Sequence, residues 1–459
     1  MTRLELTPDE LSAAMESAFA LAKDFWATLP ERGSYHRATG AETTRLFTRP
    51  WGDAGLGAAV LDDFRAIADR SRPPGGSFFG YVLGSNEQIA ALAEFLAAVL
   101  HQNVTAWRSG PAAVAVERTI VGWLADAVGC AGFTGSLCGG GSAANLMGLA
   151  MAREAKAPAN EDGVRGDCIV YASDQVHMSI PKAVALLGIG RRNLRIVNSD
   201  DDFRMAPDAL AAAIAADRAQ GKAAFAIVAS AGTVSTGAID PLPEIAAIAK
   251  ANDLWLHVDG AYGALAALAR PDLFKGLEAA DSLSLDAHKW LYQPLDCGCV
   301  LFRDASAART AFAHSGDYVK VTNTDPIEAF AFFDETIELS RRFRALKLWM
   351  SLQYHGRAAF REAIALDLQH ARLLQDLIRG EPDLELMASG PLSAVCFRHR
   401  SADNEALLKR VVERGRVYIS NATIRGAFVL RACFVNNRTR EEDVRAVVAE
   451  VLAAARETN

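Results

Sequence analysis

"FAIVASAGTVSTGAIDPLPEIAAIAKANDLWLHVD", residues 225–259, reads as strand, helix, strand. Its ends, "FAIVAS" (225–230) and "LWLHVD" (254–259), are short and rich in strand formers. Between them "PEIAAIAKAND" (243–253) carries a helical pattern. The same texture extends outward through "CIVYAS" (168–173), "LRIVN" (194–198), "SLSLDA" (282–287) and "CGCVLF" (297–302). Apolar strands alternating with helices predict an α/β fold, a mainly parallel sheet covered by helices on both faces. Ligands of such sheets sit beyond the carboxyl ends of the strands.

Around this centre, the first 75 or so residues read as amphipathic helices, broken at "SRPPGG" (71–76). A helix-rich stretch runs from Glu87 to about Gly129, and a long helical pattern from about residue 345 leads into a small α+β tail. Strands are expected there near 394–398 and 428–434. The expected division is an N-terminal helical arm (1–86), a large domain (87–360) and a small C-terminal domain (361–459).

Composition narrows the partners. The net charge is -7 and no lysine- or arginine-rich run stands out, so neither nucleic acid nor a membrane surface is an expected partner. The N-terminus, "MTRLELTPDELSAAMESAF", carries acids throughout, unlike a signal or transit peptide. No stretch approaches the about 18 uncharged apolar residues of a membrane span. The seven cysteines are odd in number and scattered, which suits reduced thiols in a cytoplasm. Cys297 and Cys299 lack a second pair at ligand spacing, so a buried strand of small side chains outweighs a metal site.

Four features could carry chemistry. In "SLCGGGSAANLMGLAMARE" (136–154), three glycines and Ser142 open an amphipathic helix, a ready place for phosphate, although a plain glycine-rich helix entry is an equal reading. Asp259 ends a strand beside Gly260 and Ala261, where it could reach a flat ligand or merely cap a helix. Lys289, in "DAHKW", follows the next strand. In a desolvated cleft it could bond an aldehyde covalently; otherwise it is a surface loop lysine. His177, in "SDQVHMSI", lies just past another strand and could equally be a packing residue. Together, a phosphate cradle, a carboxylate, a lysine and a planar histidine are what pyridoxal 5'-phosphate requires. Asp259 would pair with the ring nitrogen, while His177 and Ala261 would cover the two ring faces.

The ordered set "GGGSAAN", "SDQVHMS", "AGTVSTGAIDP", "WLHVDGAYG", "DAHKW", with "SFFGYVLGS" (77–85) and "RRFRALKLW" (341–349), resembles the group II pyridoxal-phosphate-dependent amino-acid decarboxylases, aromatic L-amino-acid decarboxylase among them. The resemblance runs from about residue 75 to the C-terminus. It implies a fold-type-I homodimer with active sites at the subunit interface. It makes Lys289 the Schiff-base lysine, Asp259 the pyridinium partner, His177 the stacking residue, and Gly141 and Ser142 phosphate ligands. Thr233 falls where the family contacts the cofactor, and His288 would help fix the phosphate or the lysine.

Three departures matter. Ala143 stands where many members carry glutamate. Asp286 stands where some carry asparagine, so its charge must point away or pair with a cation. Counting back from Arg341, Phe332 falls where aromatic decarboxylases carry a tyrosine that protonates the substrate carbon; Phe330 and Phe333 also lack a hydroxyl, and Tyr318 lies earlier in the loop. A general acid contributes about 10²–10⁴-fold in rate. In related enzymes a phenylalanine here accompanies oxygen-dependent conversion of the amino acid to an aldehyde. The expected activity is removal of the α-carboxylate of an L-amino acid to give the amine. The aldehyde route is the alternative, and a non-catalytic phosphate- or nucleotide-binding protein is a remote one. Phe79, Tyr81 and Phe332 are the expected side-chain pocket, whose aromatic rim would favour a flat or apolar substrate.

Overall fold

The computed structural model describes residues 4–35, 39–50, 52–314 and 325–457. Its larger sheet has seven strands: β1 (Thr134–Cys138), β2 (Cys168–Ser173), β3 (Leu194–Val197), β4 (Ala223–Ser230), β5 (Trp255–Asp259), β6 (Ser282–Asp286) and β7 (Gly298–Phe302). They lie in the order β1-β7-β6-β5-β4-β2-β3. The neighbours from β6 across to β3 are parallel, while β7 runs antiparallel to both β6 and β1. Only eleven residues separate β6 from β7, too few for the helical crossover that a parallel pair needs. Every residue of β2, β5, β6 and β7 is buried, as continuous apolar strands require.

The small side chains of "CGCVLF" are there for close approach. A Cβ on Gly298 would lie 2.3 Å from the Cα of Gly140, and one on Gly135 would lie 2.0 Å from the Val300 carbonyl oxygen. Cys297 and Cys299 are buried and free, and among the described residues no cluster of three metal-ligating side chains occurs.

A second, antiparallel sheet has the order β10 (Ser420–Ile424), β11 (Ala427–Cys433), β9 (Ala394–His399), β8 (Leu384–Ser389). Helix Ala345–Arg379 joins the two bodies, with non-helical backbone at Gly356. Its Leu348, Phe360 and Ile364 enter the core under the large sheet, and its Leu374 and Ile378 enter the core of the small one. In the N-terminal region, helix Pro8–Thr28 begins at a capping box made by Thr7 and Glu10. No helix among the described residues is long and apolar enough to cross a membrane.

Candidate active site

The carboxyl ends of β1, β5 and β6 open onto one cleft of about 620 Å³. β5 and β6 are adjacent, with Asp259 opposite Ser284, which brings the two strand tips together. Lys289 lies in the single turn Ala287–Trp290 that follows β6. Its Nζ is 2.9 Å from Asp286 Oδ2 and its side chain is only 18% exposed, so this lysine does not stand in bulk solvent. The cation that Asp286 needs is Lys289 itself. Asp286 Oδ2 also lies 3.5 Å from His288 Nε2.

Lys289, Asp259, His177, Gly141, Ser142, Thr233, Ala261, His288 and Tyr81 all line this cleft. A larger groove of about 700 Å³ beside Met387–Pro391 contains none of them. Asp259 has donors on both oxygens: Ser284 Oγ (3.1 Å) and the Ala261 amide (3.2 Å) donate to Oδ1, and Asn145 Nδ2 (2.9 Å) donates to Oδ2. Burial lowers the pKa of His177, outweighing the nearby Asp259 charge. His288 is lowered for the same first reason, and its Nδ1 accepts from the Cys297 amide at 3.2 Å. Thr233 Oγ1 is engaged in its own turn, with Thr236 Oγ1 at 2.8 Å and the Ala238 amide at 3.1 Å.

The glycine-rich turn is a cradle rather than a plain helix entry. Gly140 has φ +125°, and helix Gly141–Lys156 starts immediately after it. A Cβ on Gly141 would meet Ala261 Cβ at 2.6 Å and Asp286 Oδ2 at 3.1 Å, so only glycine lets the backbone N–H groups border the cleft. A helix N-terminus, a carboxylate held by donors and a shielded lysine on one cleft fit a phosphorylated pyridine aldehyde. The one discordant group is the Asp286 carboxylate beside the cradle, whose Oδ1 has no hydrogen-bond partner.

Two pocket expectations are corrected. Phe79 is fully buried in the core of the small sheet, its ring 4.9 Å from that of Phe434. Its amide donates to Tyr418 O (2.7 Å) and its carbonyl accepts from the Cys433 amide (3.0 Å), and this pairing turns the side chain away from the cleft. Phe332 is also fully buried, with the Arg341 guanidinium 4.2 Å from its ring centroid and Phe330 edge-on at 4.8 Å. It does not line the cleft of its own chain. Tyr318 lies outside the described residues.

Sequence reasoning passed over Asn145, Ser179, His257 and Ser284, which tie the site together, and Arg431 in the cleft wall. A sign of the strand residues was available: His257 and Asp259 alternate on one face of β5, as Ser282 and Ser284 do on β6.

Residues 71–400 match the pyridoxal-dependent decarboxylase conserved domain. The aromatic-L-amino-acid decarboxylase of Bacillus atrophaeus is 35% identical over 395 residues, 83% of this chain and 82% of the relative. Among solved structures, Oryza sativa TDC with PLP and tryptamine superposes with a TM-score of 0.92 at 27% identity, covering 99% of each chain. Rhodiola rosea 4-hydroxyphenylacetaldehyde synthase superposes with a TM-score of 0.88 at 26% identity, covering 98% of this chain and 99% of its own. The cradle, the shielded lysine and the carboxylate at neighbouring strand tips are thus met in a chain that belongs to the pyridoxal-dependent decarboxylase family, a carboxy-lyase acting on an amino acid with pyridoxal phosphate.

Proposed function

We propose that the enzyme removes the α-carboxylate of an aromatic or similarly flat L-amino acid and releases the amine, working as a homodimer. The observation that carries this reading is the shared cleft of Lys289 and Asp259, both shielded, at the tips of adjacent strands. When bound, pyridoxal phosphate supplies an aldehyde that bonds amines and a ring that takes up the electron pair left as carbon dioxide departs. Gly141 and Ser142 would hold its phosphate with the helix N-terminus, supported by Thr233 and His288. Lys289 would be the residue that holds the cofactor's aldehyde, and Asp286, 2.9 Å from its Nζ, would pair with the lysine whenever it is free and charged. Asp259 would pair with the ring nitrogen, Ala261 would cover one ring face, and His177 would cover the other and hold a hydrogen toward the substrate carbon. Residues 87–360 carry these groups, and the small domain, 361–459, closes the cleft with Tyr418 behind Tyr81, hydroxyl to hydroxyl at 2.9 Å.

Dimerisation is supported by an apolar stripe left open on helix Gln88–Leu100. Leu92, Phe95, Leu96 and Val99 are all exposed there at helical spacing. A second copy is the occupant that suits it, and Leu96→Glu should shift the sedimenting species toward monomer.

The similarity to an aldehyde synthase favours a second reading: oxygen and water consumed, with aldehyde, carbon dioxide, ammonia and hydrogen peroxide released. A panel of amino acids followed for all five products separates the two. Amine without peroxide supports the first; stoichiometric aldehyde, ammonia and peroxide replace it with the second. In either case Lys289→Ala should abolish turnover and the borohydride-fixed attachment of the cofactor, and wild-type-like turnover in that variant overturns both.

A further inference from the structure

A buried run of hydrogen bonds extends from the core to the cleft, and the Asp259 carboxylate fixes its order. Trp255 Nε1 carries a hydrogen and cannot accept, so it donates to Ser282 Oγ at 2.9 Å. Ser282 Oγ lies 2.8 Å from His257 Nδ1, and the far end of the run decides which of the two donates. His257 is fully buried, and burial pushes its pKa down to about 4, which keeps the ring neutral. Asn145 turns its Nδ2 to the Asp259 carboxylate, so its Oδ1 faces His257 Nε2 at 2.9 Å; the proton of His257 therefore sits on Nε2, and Nδ1 accepts from Ser282.

The carboxylate orients the amide. Asn145 Nδ2 donates one hydrogen to Asp259 Oδ2 and the other to Ser179 Oγ, each at 2.9 Å. The flipped amide would set its oxygen against the Asp259 carboxylate, which forbids it. Ser179 passes its hydroxyl hydrogen to His177 Nδ1 at 2.8 Å, and the Ser179 amide donates to the same nitrogen at 3.2 Å. Two donors on one imidazole nitrogen leave it no room for a proton.

We infer that Asn145 is a positioning residue: through it, Trp255, Ser282 and His257 fix Asp259 as an acceptor and present His177 to the cleft with its proton on Nε2. Among the described residues, Asn145 is the group that bonds to both Asp259 and the Ser179–His177 limb. This deepens the proposed function, because it rests on His177 facing the substrate. It states which nitrogen of His177 carries the hydrogen that faces the cleft.

The test is long-range ¹H–¹⁵N correlation on ¹⁵N-histidine-labelled holoenzyme, with nine histidines to resolve and His177→Gln and His257→Gln to assign two of them. His177 and His257 should each show a bare Nδ1 and a protonated Nε2; a protonated Nδ1 on either overturns the inference. Asn145→Ala should move the His177 resonances, because the Ser179 hydroxyl loses its donor while the Ser179 amide stays on Nδ1, and should weaken cofactor binding about tenfold, the loss of one bond to a charged group. His257→Gln, which still offers an N–H to Asn145, should keep the wild-type His177 signature. An unchanged His177 spectrum in a folded Asn145→Ala protein also overturns the inference. Should that variant not fold, the wild-type tautomers decide alone. The spectra need no turnover, so an enzyme inactive on every amino acid would refute the proposed function and leave this inference standing or falling by itself.

Discussion

Gly148→Ala is expected to destabilise the protein, although helix propensity argues the reverse. Gly148 lies within helix Gly141–Lys156, where alanine would ordinarily add about 1 kcal/mol. A Cβ there, however, would lie 2.4 Å from both Cε1 and Nδ1 of His257. The ring cannot turn aside freely, because Ser282 holds one nitrogen at 2.8 Å and Asn145 the other at 2.9 Å. Overpacking of this kind costs about 1–3 kcal/mol. If one ring nitrogen also loses its partner inside the core, about 1–3 kcal/mol more is lost. Against the helical gain, the balance is a net loss of about 3 kcal/mol. The displacement passes through Asn145 to Asp259, so cofactor affinity should fall as well. Urea unfolding and pyridoxal-phosphate titration measure the two effects. Adding His257→Ala makes room for the methyl group, and a double-mutant cycle should return a coupling of at least about 1 kcal/mol. A Gly148→Ala protein as stable as the wild type, with unchanged cofactor affinity, would refute this account of why a glycine sits there.

Three further outcomes follow from the same structure. Asp367 is fully buried and accepts the Tyr292 hydroxyl at 2.8 Å, and burial pushes its pKa up to about 7. The folded protein therefore keeps a proton that the unfolded chain releases near pH 4, and stability should fall between pH 4 and 7 by about 1.4 kcal/mol per unit. Asp367→Asn should match the wild type near pH 4.5 and exceed it by about 3–4 kcal/mol at pH 8; parallel urea profiles across that range would contradict the assignment. Glu117→Gln leaves the buried guanidinium of Arg341 with only the more distant and partly exposed Glu338, 3.6 Å from its Nε, as counter-ion and weakens the hold on the Leu137 amide of β1, and should cost about 3 kcal/mol in unfolding experiments. Phe332→Tyr should leave the ratio of amine to aldehyde unchanged, since the ring is packed under Arg341 outside the cleft of its chain, and should lower stability by about 1–3 kcal/mol through a buried hydroxyl. A product switch in that variant would return the residue to the chemistry.

The fold was legible where strands are wholly buried and opaque where they are not. "CIVYAS", "LWLHVD" and "SLSLDA" declare themselves by unbroken apolar character, because both faces of a parallel sheet are covered. "TGSLC", which forms β1, and "SNATI", which forms β10, offer little apolar contrast, and both were missed. The direction of β7 is written in no residue; the length of the link before it decides. The candidate site was legible through the strand-end rule, which pointed to Asp259, Lys289 and His177, and these three share one cleft. It failed at Phe79, where the face of an extended stretch depends on what pairs with its backbone. It failed at Phe332, where counting from Arg341 gives a position but not a depth.

The residues passed over show why the central strands are not simply apolar. A polar group in a buried sheet is costly unless every donor and acceptor finds a partner. β5 and β6 meet that demand pair by pair, His257 opposite Ser282 and Asp259 opposite Ser284. The remaining partners come from Asn145 on the helix above. A slip of one residue in either strand would turn His257 or Asp259 to the other face and leave several groups unpaired at once. The network therefore selects the register that sets Asp259 beside the Lys289 turn. A helical glycine at 148, which on its own lowers helix stability, belongs to the same arrangement: it admits the imidazole that orients Asn145. The placement of one carboxylate at a strand tip thus draws on five side chains and one missing side chain, most of them out of reach of any ligand.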